Sequence, residues 1–391
     1  MSDNFVKGTK ALEKGNFTKA ISFLKKADEY KEVLLNLGTA YKRSGDVKSA
    51  IATYKRCLSA PFIDGSFGPY AGVYNNLGLC YYAIGDDMSA LAAYSAAIDI
   101  DPSHENAIWN YSITLLRQWC SGGPLNSDTW KMYVYRFKTN KSIYVGSLKR
   151  WEHKTHVPRL IVLAEQGFGD KIMWGRYFSL LGSYCDHLEI QLPKEMSGLF
   201  PSYNVVQDLG TATHYVPLAS LAGVFGNRKD LGIYLPKYPK IPLEGFNIYC
   251  EWAGSPSHAN DSFRSCSVHH FLSLPGTKWN ARPGAVVPRG IQHAVSEDWG
   301  TTAALVASMD LVITVDTSIA HLAGSLGVEC WMIQPILETD FRWGEAKSKA
   351  SYGMEPEDNI WYPTVKVIEN KSWDITFSKL FKRLEDVQRS K

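Results

Sequence analysis

An internal repeat governs the first third of this chain. Asn36-Leu37-Gly38-Thr39-Ala40-Tyr41 recurs as Asn76-Leu77-Gly78-Leu79-Cys80-Tyr81. Each copy runs into a Gly-Asp pair (Gly45-Asp46, Gly85-Asp86), then Ala50 or Ala90, then an aromatic four residues on, Tyr54 or Tyr94. Ala97 and Pro102 complete the second copy. A degenerate earlier copy passes through Gly8, Gly15, Ala20, Leu24 and Ala27, and a partial later one opens at Asn110-Tyr111-Ser112. A unit of this length buries its apolar face only by stacking on its neighbours, so the segment must fold as an array. The pattern predicts a helix, a tight turn at Gly-Asp and a second helix. Small residues let the helices approach and the aromatics fill the gaps between them.

This pattern resembles the tetratricopeptide repeat. The spacing is irregular, and the longer interval holds the loop Pro61–Pro69. Three repeats plus a following helix are expected over residues 1–120. Asp99-Ile100-Asp101 has the form of a metal-nucleotide DxD, but it ends a repeat just before Pro102, so it reads as structural. Gly85-Asp86-Asp87 reads as the inter-helix turn. Asn36, Asn76 and Asn110 share one repeat position, so three carboxamides fall in line. Such a row either grips the backbone of an extended peptide or bonds helix to helix within the array. It resembles the peptide-gripping groove of O-linked N-acetylglucosamine transferase.

Ser121-Gly122-Gly123-Pro124 ends the array. An aromatic-rich connector over 121–157 (Trp130, Tyr133, Tyr135, Phe137, Trp151) is expected to be helical and packed. Beyond Pro158 the pattern alternates. Strands are expected at Leu160–Ala164, Leu188–Leu192 and Thr213–Leu218, and a helix at Lys171–Leu181 burying Ile172, Tyr177, Phe178 and Leu181. Pro236, Pro239 and Pro242 suggest a hinge. A second unit follows with strands Asn247–Glu251, Leu311–Val315 and Cys330–Ile333 and helices Thr301–Ser308 and Ser318–Leu326. Alternation of this kind predicts parallel sheets in βαβ units over 158–242 and 243–391, with ligands at the C-terminal ends of the strands.

Three motifs concentrate chemistry there. In Leu311–Val315 followed by Asp316-Thr317-Ser318 and a helix, the unpaired N–H groups of the first turn form an anion site suited to a diphosphate. Thr317 and Ser318 add hydroxyls, and His321 shares the face of Thr317. Asp316 reads as the N-cap or an orienter, since a carboxylate repels phosphate. Against this stands a plain capped helix with a buried histidine. The second motif is Glu165-Gln166-Gly167-Phe168-Gly169-Asp170, whose glycines let backbone approach a ligand and whose aspartate either caps or acts. The third runs from Trp252 to Ser265 and carries Arg264, a candidate phosphate partner or a surface arginine.

Taken in this order behind the repeats, the motifs resemble bacterial repeat-fused glycosyltransferases related to the heptosyltransferases and to O-linked N-acetylglucosamine transferase. Phe341-Arg342-Trp343-Gly344 and Trp361-Tyr362-Pro363-Thr364 also match what such proteins carry near their ends. The resemblance implies an α plus α/β chain: helical repeats, then a two-unit Rossmann-like GT-B fold with the acceptor side at 158–242 and the nucleotide-sugar side at 243–391. It implies inverting transfer from a nucleotide sugar to an acceptor hydroxyl without a cofactor or metal. By motif, Asp170 matches the general base. Arg264 falls near the diphosphate-binding position, and Thr317, Ser318 and His321 match the donor-phosphate helix; Gly167, Gly169, Trp252 and Asp316 complete the expected donor site. Lys278–Gln292, rich in Pro, Gly and Arg, departs from the clean strand expected there, and Glu251 is charged in a strand that should be buried. The Lys278–Gln292 departure favours the alternative, a non-catalytic repeat scaffold with a degenerate transferase-like part, while the intact Asp316–His321 helix start and Gly167–Asp170 turn oppose it. A nucleotide-sugar epimerase would share the architecture but gives no reason for a repeat array.

Charge narrows the partners. Across 391 residues, 42 Lys and Arg against 39 Asp and Glu leave a net charge of only +3, so no basic field points to nucleic acid. The apolar runs are too short to span a membrane. The opening Met-Ser-Asp-Asn lacks the basic and apolar parts of a signal peptide. Seven scattered cysteines without CxxC read as reduced, mostly buried thiols. A cytoplasmic protein is the expectation, binding a nucleotide-sugar donor and, through Asn36, Asn76 and Asn110, a protein acceptor or partner.

Overall fold

The computed structural model describes residues 2–65, 68, 70–125, 128–139, 144–152, 154–226, 228–258, 260–335 and 337–389. Parts of the expected loop Pro61–Pro69 and of the connector (residues 66, 67, 69, 126, 127, 140–143 and 153), together with Ala259, lie outside the described residues. The chain forms two compact units. One comprises Met1–Trp119, Pro124–Lys141 and Leu337–Arg342; the other comprises Cys120–Gly123, Ser142–Ile336 and Trp343–Lys391.

In the first unit the repeats are helix pairs. They are α1 (Asp3–Glu13) with α2 (Phe17–Leu24), α3 (Lys31–Arg43) with α4 (Val47–Ser59), and α5 (Ala71–Ala83) with α6 (Asp87–Ile100). Helix α7 (Glu105–Cys120) follows. Each inter-helix turn uses the same device. Gly15, Gly45 and Gly85 adopt φ of 72°, 86° and 75°, which a side chain disfavours. Asn16, Asp46 and Asp86 then cap the second helix by accepting a backbone N–H three residues on. The repeat glycines set the approach of the pair. A Cβ on Gly38 would lie 2.6 Å from the Tyr54 ring, and one on Gly78 2.4 Å from the Tyr94 ring. Both tyrosines are buried. The apolar interior formed by Leu24, Leu37, Tyr54 and Leu77 runs continuously through the stack.

The connector is helical in part. Helices α8 (Thr129–Tyr133) and α9 (Arg136–Thr139) follow the glycine break, and α8 packs on α7 through aromatics, with Trp109–Tyr133 centroids 5.0 Å apart and Trp119–Trp130 6.0 Å apart. Its last part belongs to a sheet instead. Strand β1 (Lys149–Arg150) pairs with His214 and Tyr215.

The second unit holds two parallel sheets. The first contains β1, β2 (Val157–Leu163), β3 (Cys185–Gln191), β4 (Asn204–Val206) and β5 (His214–Pro217), with α10 (Phe168–Trp174) and α11 (Leu221–Phe225). Its order is β1-β5-β2-β3-β4. The expected single helix Lys171–Leu181 is split: α10 stops at Trp174 and a 3-10 stretch covers Gly175–Leu180. The predicted inward residues Ile172, Tyr177, Phe178 and Leu181 are all buried.

The second sheet contains β6 (Asn247–Glu251), β7 (Thr277–Asn280), β8 (Ile291–His293), β9 (Leu311–Val315), β10 (Cys330–Gln334) and β11 (Val365–Glu369) in the order β11-β10-β9-β6-β7-β8. Around it lie α12 (Asp261–Arg264), α13 (His269–Leu272), α14 (Trp299–Ala307), α15 (Ser318–Leu326), α16 (Ala346–Ser351) and α17 (Trp373–Arg389). β6, β9 and β10 are buried at every position, the signature of central parallel strands covered on both faces. Phe377, Leu380 and Leu384 of α17 pack on Ile248 and Trp331 of the sheet.

Lys278–Gln292 is two short strand pieces and a loop rather than one clean strand. It supplies β7 and leads into β8, and Asn280 Nδ2 donates to the Cys250 carbonyl at 2.7 Å. The proline and glycine residues lie in the loop between those strands, where they interrupt no ladder. Six of the seven cysteines are buried and all are free. Among the described residues, no helix is long and apolar enough to cross a membrane.

Candidate functional site

Each of the three motifs follows the C-terminal end of a parallel strand, and within the second unit they meet. After β9, Thr317 takes the N-cap of α15, its hydroxyl accepting the Ile319 N–H at 3.3 Å. Asp316 is therefore not the cap. Its Oδ1 accepts the Trp343 indole N–H at 2.8 Å, which makes it an orienter of that ring. Trp343 stacks on His321 with centroids 4.8 Å apart, and His321 Nδ1 shares a hydrogen bond of 3.1 Å with the Tyr362 hydroxyl. Gly324, one turn beyond His321, permits this: a Cβ there would come within 2.5 Å of the Tyr362 ring. His321 is thus fixed from two sides. Beneath Tyr362 the fully buried Arg176 sits 4.7 Å from the ring centroid and donates to the Trp361 carbonyl at 3.1 Å.

The turn after β2 lies against this helix start. A Cβ on Gly169 would stand 2.8 Å from His321 Cδ2 and 3.5 Å from Ser318 Cα, so only glycine lets the two turns touch. The turn is pinned on all sides. Glu165 Oε1 accepts the Ala219 N–H at 3.0 Å, and Gln166 is held at φ 63°. Lys171 Nζ donates to the Gln166 carbonyl at 2.6 Å. Burial lowers the Lys171 pKa, while Asp170 and Glu165 oppose that shift. Asp170 Oδ2 accepts the Gly167 N–H at 3.1 Å, so this half-buried carboxylate caps α10.

The third motif closes over the same place. Arg264 Nη1 donates to the Asp316 carbonyl at 3.2 Å, and its Nε pairs with Asp261 at 3.2 Å. Gly254 makes room, since a Cβ there would lie 2.3 Å from the guanidinium. Trp252 takes no part. It is buried in the core beside Phe271, at 6.3 Å between centroids, which corrects its assignment to a ligand surface.

Glu251, the charged end of β6, is 4% exposed. Burial pushes its carboxyl up to about 7, against the opposing pull of Arg282. Arg282 stands 3.6 Å away and donates to the Ala253 and Gly254 carbonyls at 2.7 Å each. Sequence reasoning missed Arg282, Trp343 and Tyr362 as site residues. The Phe-Arg-Trp-Gly and Trp-Tyr-Pro-Thr runs were the available signal, but nothing local says that both reach one histidine.

The repeat unit carries a second arrangement. Lys42, Tyr82 and Arg117 stand near the C-terminal ends of α3, α5 and in α7, and they hold the segment Leu337–Arg342. Lys42 Nζ meets Glu338 Oε1 at 2.6 Å. The Tyr82 hydroxyl donates to the Thr339 carbonyl at 3.1 Å, and Arg117 Nη1 donates to Thr339 Oγ1 at 3.2 Å. The Glu338 N–H donates to the Ala83 carbonyl at 3.3 Å, and Leu337 packs on the repeat core. Arg117 is fully buried, steadied by its Nε bond to Asp87 at 2.8 Å. Two members of the asparagine row behave otherwise. Asn36 donates to Thr9 Oγ1 at 3.0 Å and Asn110 to Asn75 Oδ1 at 2.9 Å, both helix to helix.

Residues 31–62 and 71–104 match family models described as the tetratricopeptide repeat. The N-terminal region is a tetratricopeptide repeat array. A comparison with curated proteins finds no match. Among solved structures, the chain is similar to MamA at 22% identity, over 34% of this chain and 75% of that one, with a TM-score of 0.30. A tetratricopeptide repeat protein from Parabacteroides merdae matches at 21% identity over 36% of this chain and 54% of that one, TM-score 0.29. The first such repeat domain of Spaghetti, bound to an HSP90 peptide, matches at 20% identity over 28% and 86%, TM-score 0.25. The tetratricopeptide array and a C-terminal region of parallel sheets and helices are thus the two parts of the molecule.

Proposed function

We propose that the chain is an inverting, metal-independent glycosyltransferase of the GT-B type, using a nucleotide sugar, whose tetratricopeptide repeats bind a protein acceptor or partner. The observation that carries this reading is the contact of Gly169 with Ser318 and His321, which brings the turn bearing Asp170 onto the helix start assigned to the donor phosphates. In the reaction, an acceptor hydroxyl oxygen bonds to the anomeric carbon as the bond to the diphosphate breaks. Asp170 takes the hydroxyl proton. The departing diphosphate is stabilised by the first turn of α15 and by Arg264, which the Asp316 carbonyl holds beside it.

A thermal-shift series with nucleoside diphosphates and their sugars tests the donor half, since a ligand of the folded state raises the melting temperature. Asp170→Asn keeps an acceptor for the Gly167 N–H, so it is expected to preserve donor binding while turnover falls by roughly two to four orders of magnitude. No binding of any nucleoside diphosphate or nucleotide sugar at millimolar concentration refutes the reading. The competing reading, a repeat scaffold with a degenerate transferase-like part, draws on the capping role of Asp170 toward Gly167. It predicts donor binding or fold stability with no transfer by the wild-type chain to any acceptor.

A further inference from the structure

We propose that the face formed by Lys42, Tyr82, Ala83 and Arg117 is the peptide-binding surface of the repeat array, that it takes a short segment reading apolar–acid–hydroxyl, and that Leu337–Arg342 is its resident occupant. This rests on the reading that the repeats bind a protein partner, and it names both the chemistry of that partner and the obstacle to its binding.

The segment is held as a peptide ligand is held. Main-chain groups are engaged sequence-independently, with the Glu338 N–H on the Ala83 carbonyl and the Thr339 carbonyl on the Tyr82 hydroxyl. Side chains supply selectivity: Leu337 against the apolar repeat core, Glu338 on Lys42 and Thr339 on Arg117. The receptor side is preorganised. Arg117 is fully buried, bonded to Asp87 and stacked 3.4 Å from the Tyr82 ring centroid, so its fork is aimed before any ligand arrives. The resident occupant is imperfect. Glu338 sits at φ 55°, in the left-handed region that a residue with a β-carbon disfavours, and the segment is tethered at both ends to the rest of the chain. A free peptide carries no such constraint. It competes instead with a tethered segment at high effective concentration, so the apparent affinity of the native chain is lowered by the fraction of time the face is open.

The test uses the full chain and a fluorescein-labelled peptide of sequence 335–343, with binding read by anisotropy. The peptide is expected to bind a variant whose own segment carries Leu337→Gly, Glu338→Ala and Thr339→Gly roughly tenfold or more tighter than it binds the wild type. Adding Lys42→Glu to that variant should abolish the gain, and a peptide carrying Glu338→Lys should restore it. In the wild type, hydrogen exchange at the Glu338 amide should accelerate when excess peptide is added. Equal affinity for the wild type and the segment variant, with unchanged helical circular dichroism, overturns the proposal; so does a Glu338 amide unaffected by saturating peptide. Failure here, with transfer to a protein acceptor still dependent on the repeats, refutes the resident segment alone. Peptide binding without any acceptor transfer refutes the enzymatic reading and leaves this one standing.

Discussion

Glu251 offers a quantitative check on the second sheet. Its carboxyl ends β6, 4% exposed, and burial raises its pKa from 4.5 to about 7 despite Arg282 at 3.6 Å. In the unfolded chain the same group titrates near its ordinary value. Between the two values the folded protein therefore holds one more proton than the unfolded one, and stability falls as pH rises, by about 1.4 kcal/mol per unit where the difference is complete. The stabilising state is the protonated one: it is fully in place below the unfolded pKa and is lost as pH rises through the folded one. Glu251→Gln removes this dependence while keeping the shape and the neutral form. Any packing change from the amide is independent of pH and cancels when two pH values are compared. The stability of the variant relative to wild type should thus rise by roughly 2–3 kcal/mol between pH 5 and pH 8. Urea unfolding followed by tryptophan fluorescence measures it, with equal m-values as the condition for comparison. A relative stability that stays flat over that range, or that declines toward pH 8, refutes the reasoning. The second result would mean that the attraction of Arg282 outweighs burial.

Gly78→Ala should destabilise the repeats by about 1–2 kcal/mol, because overpacking against the rigid Tyr94 ring outweighs the gain in helix propensity. In a Tyr94→Leu background the same change should be stabilising, and a loss of equal size in both backgrounds would show that the ring is not the cause. Trp343→Phe keeps an aromatic ring on His321 but takes the indole donor from the buried Asp316. A loss of about 1–3 kcal/mol is expected, read as a lowered melting temperature, and an unchanged one would remove Asp316 from its orienting role.

Much of the architecture is local and could be read directly. The glycine–tyrosine spacing of the repeats is a packing rule written in sequence, because residues sixteen apart on a helical hairpin meet face to face; Gly38 with Tyr54 and Gly78 with Tyr94 do so. Strands β6 and β9 and helix α15 fall on the expected residues, since continuous apolar runs bounded by polar turns leave little choice of register. Phe377, Leu380 and Leu384 of α17 carried an amphipathic spacing of the same kind, although no helix is among those expected there. Short pieces did not. β4, β7, β8 and β11 are only three to five residues long, and their extended form comes from pairing with a neighbour rather than from propensity.

The candidate site divides along the same line. Local sequence marks a capped helix start at Asp316–Ser318 and a close-approach turn at Gly167–Gly169, because capping and glycine freedom are properties of a few consecutive residues. It cannot say whether Asp316 caps or orients, whether Trp252 faces a ligand or the core, or that Trp343 and Tyr362 enclose His321. Those outcomes depend on which strand ends are neighbours in a sheet. The same holds for Leu337–Arg342, whose partners Lys42, Tyr82 and Arg117 lie more than two hundred residues away along the chain. A hydrogen bond between residues so distant in sequence leaves no periodicity and no motif. Only chain folding, which trades conformational entropy for burial and brings those surfaces together, decides that such contacts exist.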